Sequence, residues 1–161
     1  MKKLTAIVSA FVLTLTLSAN AFAAGINQDS DPKTSDVEVK TSISPTYTVT
    51  IPANTTVTFN RLSTSFGSVK LDAAQINPGY AVKVELNASG KLKNQADNNK
   101  TIAYTINDKN GKAFTAQQYT AAGQETPLTI DITQAAWNAA FAGSYSDTVT
   151  FTVSYVNTSA S

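Results

Sequence analysis

SYSDTVTFTVSYV, residues 144–156, decides the fold class of this chain. Val149, Phe151, Val153 and Tyr155 alternate with Thr150, Thr152 and Ser154. A period of two puts the apolar side chains on one face of a strand and the hydroxyls on the other. A helix turns by about 100° per residue and would scatter the same groups around its axis. Val149, Phe151 and Val153 are therefore the expected core face of a final strand.

Upstream, the same period recurs in short runs. Residues 46–51 set Tyr47, Val49 and Ile51 against three threonines. Further runs place Val57 and Phe59, Val69 and Leu71, then Val82, Val84 and Leu86 on shared faces. TIAYTI, 101–106, and PLTIDI, 127–132, each read as one strand. Asn77-Pro78-Gly79 predicts a type II turn and Asn110-Gly111 a hairpin. Short alternating strands between regular turns define an antiparallel sandwich or barrel, and the threonines suit its solvated faces. Residues 133–143, TQAAWNAAFAG, break the pattern. Thr133 offers an N-cap, the alanines favour helix, and Gly143 offers a C-terminal stop. The expectation is an all-β, Ig-like or pilin-like sandwich with one short helix before the last strand, Trp137 and Phe141 pressing onto it.

The N-terminus has a different grammar. Lys2 and Lys3 precede an apolar run, and Ala21 and Ala23 stand where a leader peptidase cuts, so residues 1–23 are expected to be a signal peptide. Residues 24–36 are polar and read as a flexible arm; 37–161 form one domain. Losing Lys2 and Lys3 would take the net charge from +1 to about −1, which is no footprint for nucleic acid. No membrane span or C-terminal anchor is expected after leader removal. The expected location is therefore extracellular or at a bacterial cell surface.

Catalytic chemistry is thinly supplied. With no His and no Cys, the commonest general base, metal ligands and thiol nucleophile are missing, and disulfides are impossible. DKNGK, 108–112, imitates the start of a calcium loop but sets Lys where an oxygen ligand belongs, so it reads as a hairpin turn. No catalytic residue, cofactor or metal is expected, and the protein is not read as an enzyme. Tyr80 and Tyr119 lie in less regular stretches and are the candidates for stacking on a glycan.

Residues 37–43, VEVKTSI, put Val37, Val39, Thr41 and Ile43 on one face, with Pro45 following. Together with GSYSDTVTFTVSY near the C-terminus, this segment resembles the ends of secreted bacterial pilins of the spore-coat-U and archaic-pilus type. The resemblance covers about a quarter of the chain and rests on pattern; many of those pilins carry a disulfide, which this chain lacks. It implies a sandwich that lacks one strand, filled by the N-terminal extension of a neighbouring subunit. Val37, Val39 and Ile43 would be the donor-strand anchors. It implies a fibre or pilus-like subunit, or an adhesin, whose partners are copies of itself or homologous subunits. The residues alone leave a second reading open, in which 37–43 is the domain's own first strand. The protein would then be a monomeric secreted binding module for a cell-wall or host glycan.

Overall fold

A computed structural model describes residues 25–159; the expected signal peptide, 1–23, lies outside the described residues. The chain divides into two units, up to Thr41 and from Ser42 onward. In the first, the amides and side chains of Asn27, Asp29 and Ser30 close a small polar turn. Beyond it the chain is irregular.

The described residues of the second unit hold ten strands and one helix. One sheet has the order β1 (Thr46–Thr50), β2 (Ser63–Gln75), β8 (Glu125–Asp131), β6 (Thr105–Asp108). Another runs β10 (Thr150–Asn157), β3 (Tyr80–Asn87), β7 (Ala116–Tyr119). A small third sheet joins β5 (Thr101–Ala103), β4 (Lys91–Asn94) and β9 (Tyr145–Ser146). All pairings are antiparallel. The all-β sandwich with one short helix is thus the observed fold.

Alternation explains the core. Val69, Leu71, Leu128, Ile130 and Ile106 of the first sheet meet Val82, Val84 and Tyr119 of the second. Val69, Leu71, Val82 and Val84 are fully buried, each worth about 1.5–3 kcal/mol relative to exposure. The turns follow their residues. Tyr80 N–H donates to Asn77 O across Gly79, whose φ of 77° a side chain would strain. At 108–112 the Asp108 carboxylate accepts from the Asn110 and Lys112 amides, so DKNGK is a closed hairpin turn.

Several expectations need correcting. Residues 37–43 form no strand, and the first strand is β1; an alternating segment becomes a strand only where an edge pairs with it. Val57 and Phe59 stand in an unpaired stretch between β1 and β2. TIAYTI is two strands in different sheets, broken at Tyr104, whose amide turns to Gly90 O. The helix, α1, is only Gln134–Asn138. Thr133 does cap it, accepting from Ala136 N–H, but Ala139 ends it, well before Gly143. Trp137 is buried, donating its Nε1–H to Arg61 O at 3.0 Å, whereas Phe141 is 59% exposed under the Lys100 ammonium.

Candidate functional site: an open groove

The principal sheets have edge strands on both sides, and a groove opens on the side of β1 and β10. Among the described strands β1 pairs only with β2, and β10 only with β3, so both principal sheets end in a free edge. The two edges meet at one end through aromatic rings. Tyr155 of β10 stacks on Tyr80 of β3 with centroids 4.9 Å apart, and faces Tyr47 of β1 at 6.2 Å. Its hydroxyl accepts from the Asn77 amide, anchoring the closed end to the type II turn.

Away from those tyrosines the edges part. The chain leaves β1 through Pro52 and runs to Arg61 without joining a sheet. Between this stretch and residues 142–151 lie two cavities of about 680 and 490 Å³. Both are lined by Thr55, Val57, Leu92 and Asp147, so they are two halves of one groove. The larger half is aromatic, with Phe59, Trp137, Phe141 and Tyr145 on its wall. The smaller reaches the core through Phe66, Ile106, Ile130 and Phe151.

Asp147 stands where the halves join. Its carboxylate accepts from Tyr104 Oη at 2.6 Å, Ser89 Oγ at 2.7 Å and the Thr148 amide at 2.9 Å. Partial burial alone would raise its pKa; the hydrogen bonds from Tyr104, Ser89 and Thr148, with Lys93 nearby, outweigh that and hold it below 3.8. Burial first, then the negative Asp147, push the Tyr104 phenol far above its ordinary range, so it remains a donor. This network ties the segment before β10 to the β5–β6 junction and fixes the groove wall.

Of the final-strand residues, Val149 and Phe151 line the groove, and Val153 shares their phase. In register with β3, Phe151 and Val153 oppose Leu86 and Val84, on the core face of that sheet. Val149 precedes the strand proper and lines the smaller cavity with Phe151. Yet Phe151 is only half-buried and Val153 is 36% exposed. A core-facing residue on an edge strand is sealed only when another strand lies beside it. Of the donor-strand candidates, Val37 is 82%, Val39 93% and Ile43 62% exposed.

The glycan candidates separate. Tyr119 is 2% exposed, with its hydroxyl donated to Thr126 Oγ1, and is a core residue rather than a stacking platform. It lies on β7, whose AQQY sequence hid its burial because it lacks alternation. Tyr80 is half-buried with its ring already stacked on Tyr155. Asp147 was not singled out by sequence, since a lone carboxylate in a turn carries no pattern. Asn107 and Thr129 similarly engage Asp131 at the end of β8; Asp131 lines neither cavity.

Fold and site together define an antiparallel β-sandwich whose principal sheets end in β1 and β6 and in β10 and β7, with a groove of mixed polar and apolar lining on the β1–β10 side. No protein-family model matches the chain, and no curated protein does. Among solved structures, similarity is found to a chain from a chaperone–tip adhesin complex of CFA/I fimbriae biogenesis, at 14% identity and a TM-score of 0.45. The match covers 66% of this chain and 41% of that one, so the chain spans less than half the length of this neighbour. Among the described residues, no helix is long and apolar enough to cross a membrane.

Proposed function

We propose that this protein is exported and works as a structural subunit of a cell-surface fibre, assembling by strand addition. The observation that carries the proposal is the groove that reaches the start of β10, an edge strand on which Phe151, in the groove wall, and Val153 are left partly uncovered. A strand laid along β10 satisfies its unpaired backbone groups, and alternate side chains enter the cavities. Val37, Val39 and Ile43 have the required period and are exposed. Burying each is worth about 1.5–3 kcal/mol before the costs of association.

The occupant is residues 37–43 of another copy or of a homologous subunit, and the preceding residues give the segment reach. The role is assembly rather than catalysis. The leader-like residues 1–23 are the export signal, which puts assembly outside the cell. Protein recovered from cells expressing the full sequence is expected to run as a ladder when unboiled and to collapse to one band when boiled. Removal of residues 24–43 abolishes the ladder. A single unboiled band from the intact chain would overturn the reading.

A further inference from the structure

Alternation leaves the register of an inserted strand underdetermined. A slip of one residue turns every apolar side chain out of the groove and is excluded by burial. A slip of two keeps the same face inward, and Val37, Val39 and Ile43 are too alike to resist it. The inward set contains one dissimilar member, Thr41. Once removed from water its hydroxyl is unfavourable unless it meets an acceptor.

Neutral acceptors line the groove at Asn54, Thr55, Thr56, Ser146 and Thr148, but a charged one stands at a single place. Among the described residues lining the two cavities, Asp147 is the sole charged side chain, and it stands at their junction. Its Oδ2 accepts from both Tyr104 and Ser89, while its Oδ1 accepts only from the Thr148 amide. A carboxylate has about four acceptor positions, so one remains open on Oδ1.

We propose that Thr41 of one copy donates its hydroxyl hydrogen to Asp147 of the next, and that this bond sets the register of the inserted strand. The inference rests on the strand-addition reading. Val39 and Ile43 then lie about 7 Å to either side along the strand, one entering each half of the groove. A two-residue slip would set a valine or isoleucine against the carboxylate and take Thr41 away from its charged acceptor. A single polar position in an apolar seam fixes register in the same way in coiled coils.

The absence of cysteine makes cross-linking a clean test. Full-length chains carrying Thr41→Cys and Asp147→Cys are mixed and oxidised, with Val39→Cys and Ile43→Cys as alternatives to Thr41→Cys. Because Asp147→Cys removes the carboxylate, Thr41→Ser and Thr41→Val are also compared in otherwise native chains. The 41–147 pair is expected to give the dominant cross-link. Thr41→Ser should assemble as the native chain does, and Thr41→Val about tenfold more weakly, because the hydroxyl is lost. Stronger cross-linking from position 39 or 43, or undiminished assembly of Thr41→Val, would overturn the register while leaving strand addition standing. A native chain that stays monomeric, with no pair cross-linking, would overturn both.

Discussion

Replacing Tyr104 by Phe removes one hydroxyl and leaves the ring, so it probes the bond that fixes the groove wall. The ring is 7% exposed and its hydroxyl donates to Asp147 Oδ2 at 2.6 Å. A hydrogen bond to a charged acceptor contributes about 1.5–3 kcal/mol. Asp147 keeps Ser89 and the Thr148 amide as donors and is only partly buried, so water can replace part of the loss. The lower end, about 1.5 kcal/mol, is expected at neutral pH, with a Tm lower by about 5 °C. The effect should depend on pH. Asp147 has a folded-state pKa depressed below 3.8, so its stabilising contribution is complete above that value and is lost as pH falls through the folded-state pKa. The difference between native and Tyr104→Phe chains should therefore narrow in acid. Urea unfolding followed by the fluorescence of Trp137, the single tryptophan, measures it at pH 7 and at pH 3. Both chains carry Val39→Asp, so that assembly does not contribute. A difference below about 0.5 kcal/mol at pH 7, or one that widens in acid, would refute the role given to this bond.

Other perturbations test the frame around the groove. Leu71→Ala empties a fully buried site between the sheets and should cost about 2–5 kcal/mol in urea unfolding. Gly143→Ala sets a Cβ within 2.5 Å of Asn94 Nδ2 at a φ of 142°. Asn94 is buried and holds the Ala96 and Asp97 amides, so a loss of about 2 kcal/mol is expected in thermal unfolding. Thr133→Ala removes the N-cap of a short helix and should cost about 1 kcal/mol, with a change in Trp137 emission.

The fold was legible wherever a strand had one face in the core. Val69, Leu71, Val82, Val84, Leu128 and Ile130 were all visible by alternation, and all are buried. Short strands on polar ground were not: KLKN and AQQY have four residues each and no apolar period. The length of β2 was hidden by Gly67, where the register with β8 shifts and φ reaches 101°. The division of residues 101–108 at Tyr104 was hidden because both halves share one phase. The groove itself has no local signature. A free edge is a relation between distant segments, and the unpaired run from Pro52 to Arg61 reads like a strand and a turn. Tyr119 shows the converse: a residue in an irregular stretch becomes core because β3 and Thr126 enclose it.

Strand addition makes a direct claim about backbone hydrogen bonds, and amide hydrogen exchange reads them. The measurement compares assembled chains with monomeric Val39→Asp chains, segment by segment. The account predicts that assembly slows exchange in residues 37–43 and along the open end of β10, from Thr150 to Val153, while β2 and β8 change little. Exchange equally fast in both segments before and after assembly would contradict it, because no new strand would then lie beside β10.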